Sequence, residues 1–308
     1  MGTLNIVSSH YPRDLIGYGA SPPNPRWPQD ARIAVQFVLH YEEGGEANIL
    51  HGDPHAESNL HEAGGRAALQ NARNLPVESV YEYGSRAGVW RILRLAQEFG
   101  IPLTVFAVGM ALERHPALAR ELVGLGHEIA CHGWRWIDYR MVPEPDEQAD
   151  MRRAIEALTR VTGSRPLGWY TGRPSPNTRK LVAEEGGFLY DSDAYNDDLP
   201  YWVRQSGRNH LVVPYSLDVN DMKFGTPPGL NQGDDFYGYA RDAFDALYAE
   251  GAAAPKMLSI GLHTRLIGRP GRIGALRRLF VHMRSHRDVW FCRRIDIARH
   301  WMEHHPQP

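Results

Sequence analysis

Residues 125–138, LGHEIACHGWRWID, are the stretch whose reading decides the fold. A Gly-His-Glu turn leads into a short apolar run, Ile129, Ala130 and Cys131, which delivers His132 at its end. Trp136 follows four residues later. A catalytic zinc site commonly takes three protein ligands, and a His-x3-His pair is one way to supply two. Here tryptophan stands where the second histidine would, and an indole cannot ligate a metal. The stretch therefore poses a question: what supplies the charge that a metal would bring?

Working outward, residues 32–39 (RIAVQFVL) form a β-branched, apolar run of strand length. The run ends in His40-Tyr41-Glu42-Glu43-Gly44-Gly45, and paired carboxylates at the end of a buried strand point to a site. Before it, residues 1–31 are rich in Pro and Gly and read as an extended leader. After it, residues 46–80 show no period and read as a long loop of the kind that covers a site. Its histidines, His51, His55 and His61, lack ligand spacing and are expected at the surface.

Helical spacing then predicts a helix over 85–99 closed by Gly100, a strand over 102–108 and a helix over 116–125. Beyond Trp136 come a helix (147–162), a strand (167–171) leading to Arg173, a helix (177–185) and a strand (188–191). A strand over 211–215 leads to Asp218, Asn220 and Asp221; a helix spans 234–251 and a strand over 256–262 ends at His263. A helix (273–286), a strand (290–292) and a helix (295–301) complete the chain. This alternation predicts one α/β domain over 1–308, a parallel sheet or barrel with its site at the strand C-termini.

The charge is balanced, with 34 basic and 36 acidic residues and a net charge of -2, so neither nucleic acid nor an anionic membrane is an expected partner. The basic cluster at 265–278 reads as a solvated helix face. Two cysteines, Cys131 and Cys292, far apart in apolar strands, suggest a reducing compartment without a disulfide framework. No signal-peptide pattern opens the chain and its apolar runs are too short for a bilayer, so a cytoplasmic protein is expected.

The order LHYEEG, GHEIACHGWRW, TGRPSPNTRKLV, YDSDAY and LSIGLH resembles the polysaccharide deacetylase (NodB-homology) superfamily over about residues 32–298. The resemblance implies a distorted (β/α) barrel with about seven strands. It places the family's base and metal-binding aspartates on Glu42 and Glu43, the first histidine ligand on His132 and the second on Trp136. Two ligands hold zinc poorly; Asp138 and His40 are the possible substitutes. YPRDLIGYG, YEEGGEANILHGD, YEYGSRAGVWRIL and SIGLHTRLIGRP look more like the metal-independent allantoinases of that superfamily. That closer likeness implies hydrolysis of the hydantoin ring of allantoin in purine catabolism, with no metal, no cofactor and a homo-oligomer, a tetramer. The alternatives are a hydrolase of another cyclic amide or imide, a metal-dependent carbohydrate N-deacetylase, and a non-catalytic binding protein.

A metal-free ring opening needs protein groups to activate water, stabilise an oxyanion and protonate the leaving nitrogen. Glu42 is then the expected base, with Glu43 beside it raising one pKa of the pair. His263 is the expected acid, Arg173 polarises a carbonyl through its planar fork, and His132 hydrogen-bonds or relays a proton. Trp136, Asn220 and Asp221 are expected to contact a small-molecule substrate.

Overall fold

The computed structural model describes residues 13–63, 68–226 and 229–307. Strand β1 (Ile33–Tyr41) is buried along its whole length, which is why it reads as a continuous apolar run. Helix α1 (Leu75–Tyr83) passes through a single wide turn at Gly84–Gly88 into α2 (Val89–Phe99). Gly100 then closes α2 in the left-handed conformation, φ 60°, as a C-terminal cap requires. The chain continues through β2 (Leu103–Ala107), α3 (Gly109–Glu113), α4 (Pro116–Gly124), β3 (Glu128–Cys131), α5 (Glu144–Thr162), β4 (Gly168–Trp169) and α6 (Thr178–Glu185). It ends with β5 (Tyr190–Asp191), β6 (Tyr201–Gln205), β7 (Arg208–Val212), α7 (Gly233–Glu250), β8 (Lys256–His263), α8 (Pro270–Arg284), β9 (Val289–Phe291) and α9 (Arg294–His304).

The nine strands make one sheet in the order β6-β7-β5-β4-β3-β2-β1-β8, with β9 also on β1. All pairings are parallel except the β6–β7 hairpin. This curled half-barrel is the distorted (β/α) barrel the sequence predicts, enlarged by β6, which the sequence reading passes over. The region 46–80 is also less irregular than expected. Helix α1 begins within it at Leu75, and His61 is buried rather than at the surface. Residues 1–12 of the leader lie outside the described residues. Its later part packs beneath the sheet, where the buried Trp27 ring meets Trp290 and Trp301 and its Nε1 donates to the Lys256 carbonyl at 3.0 Å.

Strand parity divides the core. Ile33, Val35, Phe37, Leu39 and Tyr41 join the large cluster shared with α2 and α8. Val38 joins Phe106, Ala130, Tyr170 and Tyr215 in a separate cluster, which lines the inside of the curl. Lower in the curl the buried Arg294 donates to Gln36 Oε1 (2.6 Å), Ser259 Oγ (2.7 Å) and the Pro214 carbonyl (2.7 Å). A buried guanidinium is tolerable because its donors are satisfied in this way.

Candidate active site

The site is assembled by the same parity. His40 shares the inner face with Val38, and Glu42, two residues on, continues that face. Glu43 falls to the other side, where it accepts from Thr264 Oγ1 and Arg265 Nη1. Sheet register brings the partners. His40 is the direct neighbour of His263 on β8, so their rings stack at 4.4 Å, 6° from parallel. On the other side β2 links β1 to β3, and His132 follows the end of β3.

Three donor atoms converge there. His132 Nε2 lies 3.3 Å from Glu42 Oε1 and 3.4 Å from His40 Nδ1, and His40 Nδ1 lies 3.6 Å from Glu42 Oε1. His263 Nε2 approaches the same Glu42 oxygen at 3.7 Å. Each histidine is held from its far side. His132 Nδ1 donates to the Tyr170 carbonyl at 2.9 Å, and His40 Nε2 meets Tyr215 Oη at 2.8 Å. His263 Nδ1 meets Asp221 Oδ1 at 2.6 Å. Asp221 is fully buried and also accepts the His263 and Ile267 amides through Oδ2.

Arg265 is the charge the sequence reading missed. It was grouped with a solvated basic face, yet it is wholly buried. Its Nη2 donates to Glu42 Oε2 at 2.6 Å, its Nη1 to Glu43 Oε1 at 3.3 Å and its Nε to the Leu60 carbonyl at 2.8 Å. The guanidinium also lies over the Tyr81 ring at 4.2 Å. The adjacent carboxylates therefore titrate apart. Burial pushes Glu42 up, but Arg265, then His263 and His132, outweigh it and hold the group well below the usual carboxylate range. Burial prevails at Glu43 and pushes it up. Burial, with the His263 ring beside it, holds His40 well below the usual imidazole range, so it is neutral.

A cavity of about 350 Å³ opens onto these groups, within the size range of small-molecule pockets. His40, Glu42, His132, Trp136, Arg173, Asn220 and His263 line it, together with Asn59 and Leu60 of the 46–80 segment. Glu43 and Asp221 are absent from its lining. Arg173 stacks on the Trp136 ring at 3.9 Å and pairs with Glu57 at 3.5 Å. The Asn220 amide is engaged at both ends, Nδ2 donating to Tyr215 Oη and Oδ1 accepting from the Met222 amide.

The donor geometry suits a metal ion. Tetrahedral ligands bonded at about 2.0–2.1 Å sit about 3.3–3.4 Å apart. The observed separations of 3.3, 3.4 and 3.6 Å match that shell, and His40, Glu42 and His132 form a buried three-donor set. The far-side partners of both histidines fix their rings as the second shell of a metal site does. The residues fit. The expected absence of a metal set is thus corrected: His40, Glu42 and His132 are placed where they could hold a metal ion, a set that includes neither Trp136 nor Glu43.

The comparisons agree with this correction at the level of family. The polysaccharide deacetylase family profile matches residues 71–186. A Schizosaccharomyces pombe relative assigned to the polysaccharide deacetylases is 45% identical over 96% of this chain and 98% of its own. A Pseudomonas aeruginosa PAO1 crystal structure assigned to the same enzymes is 59% identical, with TM-score 0.95 over 97% of this chain and 100% of that one. The crystal structure of Puue allantoinase is also similar, at 62% identity and TM-score 0.95 over 97% of this chain and 99% of that one. The matched family profile, the deacetylase relatives and the three-donor set together overturn the narrower expectation of a metal-independent allantoinase of purine catabolism. No helix among the described residues is long and apolar enough to cross a membrane. With 45% identity across nearly the whole of both chains, this protein belongs to the polysaccharide deacetylase family.

Proposed function

We propose that this chain is a metal-dependent hydrolase that removes the acetyl group from an acetamido sugar. The observation that carries the reading is the His40–Glu42–His132 donor set, with edges of 3.3–3.6 Å at the foot of a small cavity. His40, Glu42 and His132 would hold a divalent cation, which when bound would supply Lewis-acid polarisation of the amide carbonyl. Glu42, kept ionised by Arg265, serves as the anionic ligand rather than the base. The proton carrier is His263: Asp221 holds its Nδ1–H, leaving Nε2 to take a proton from water and return it to the leaving nitrogen. Arg173 and Trp136, at the wall of the same cavity, position the substrate. Its volume suits one sugar-sized group more than a long polymer in an open groove.

The test is acetate release from N-acetylated mono- and oligosaccharides by chelator-stripped protein, before and after Zn²⁺ or Co²⁺ is restored. Metal-restored release is the expected result. Turnover indifferent to stripping, or confined to cyclic ureides such as allantoin, would overturn the reading.

A further inference from the structure

Outside this site, a second group of metal-ligating side chains lies on the outer helical layer: Asp245 on α7, His282 on the last turn of α8 and His286 just past its end. The geometry points to a surface site for a first-row divalent cation of the zinc class that clips α7 to α8. One ligand atom from each of the three lies within 4.8 Å of the others. Two histidines, one on the last turn of a helix and one just past its end, joined by a carboxylate from a neighbouring element, supply the imidazole and carboxylate donors that zinc takes.

Three features prepare the group. First, His286 Nδ1 donates to the His282 carbonyl at 2.9 Å, so Nε2 keeps its lone pair, the tautomer that a ligand requires. Second, His282 Nε2 faces Asp245 Oδ1 at 2.6 Å. When a cation replaces the proton between them, that proton passes to solvent or to Nδ1, and the half-exposed Asp245 carboxylate swings out to the wider ligand spacing. Third, the rings are already fixed by packing. Phe244 meets His282 edge-on at 5.8 Å and His286 at 5.1 Å, and Tyr248 meets His286 at 4.9 Å. The two histidines also lie at the C-terminal end of α8, the negative end of the helix dipole, which favours a cation.

The experiment counts zinc bound to metal-stripped, full-length protein after dialysis against buffered Zn²⁺, for the wild type, H286A, H132A and the double variant. H286A is expected to bind one equivalent fewer than the wild type. Zn²⁺ is expected to raise the melting temperature of H132A but not of H132A/H286A. Equal zinc in wild type and H286A, with the same Zn²⁺-dependent melting shift in H132A and the double variant, would overturn the clip. An unchanged count in H132A alone bears instead on the buried site, so the two failures are separable.

Discussion

Arg265 Nη2 sits 2.6 Å from Glu42 Oε2 with both side chains shut off from water, and the same guanidinium reaches Glu43. One cation thus bridges two adjacent carboxylates that turn to opposite sides just past the end of β1. Removing it strands both. R265M is expected to destabilise the fold by about 3–5 kcal/mol, the usual cost of breaking a buried ion pair. R265K should recover only part of this, since one ammonium cannot reproduce the fork to Glu42, Glu43 and the Leu60 carbonyl. Urea denaturation of the three proteins checks the order.

The two carboxylates are expected to separate under mutation. E42Q should lose bound Zn²⁺ at the buried site and all turnover, because an amide oxygen is a poor substitute for an anionic ligand. E43Q should keep the metal, with turnover within about tenfold of wild type, roughly 1.4 kcal/mol of transition-state stabilisation. Elemental analysis beside a rate assay decides it; metal loss in E43Q rather than E42Q would reverse the assignment.

His40 sets a pH dependence in the metal-free protein. Its folded pKa is depressed by burial, so the unfolded chain binds a proton more readily, near pH 6.5. The stability it contributes is full above that value and is lost as pH falls toward the folded pKa. Glu42 adds a loss of the same sign at lower pH, below the ordinary carboxylate range. Denaturation of wild type and H40N between pH 7.5 and 5 should show a steeper fall in the wild type. Parallel curves would mean that His40 is not held neutral.

Asp221 is expected to act through His263 alone. D221N should keep zinc at the buried site while kcat falls about 10²–10⁴-fold, the range for a mis-oriented acid–base histidine. A structural role alone would leave the pH–rate profile of the residual activity unchanged. A shift of its histidine limb is the distinguishing result.

Much of this was legible in the chain. The strand–helix alternation placed His132, Arg173 and His263 at strand ends because apolar runs and glycine caps report local structure directly. His40 entered only as a possible substitute ligand, beside Asp138. It closes an apolar strand and looks like its last core residue, and only its parity with Glu42 in His-x-Glu hints at a shared face. The family pattern drew attention to the adjacent pair Glu42–Glu43, whose members cannot face one way. Arg265 was hidden by its company: the neighbouring arginines 272, 277 and 278 pair with surface acids, and nothing in composition separates the buried one. The β6 strand escaped because it lies at the sheet edge, only partly buried, and its apolar run, Tyr201-Trp202-Val203, is three residues long.

The alternation along the end of β1 has a further meaning for how such a site can change. Which carboxylate meets the donor set is decided by odd or even count from His40, not by the identity of either residue. Exchanging Glu42 and Glu43 for other acids leaves the arrangement in place. Deleting one residue between His40 and Glu43 would put Glu43 in the inward slot and carry Glu42's partner in Arg265 out of reach. The proposed metal site thus tolerates exchange of one acid for another but not a shift of frame, so a homologous chain with altered chemistry should be sought among length variants of this turn.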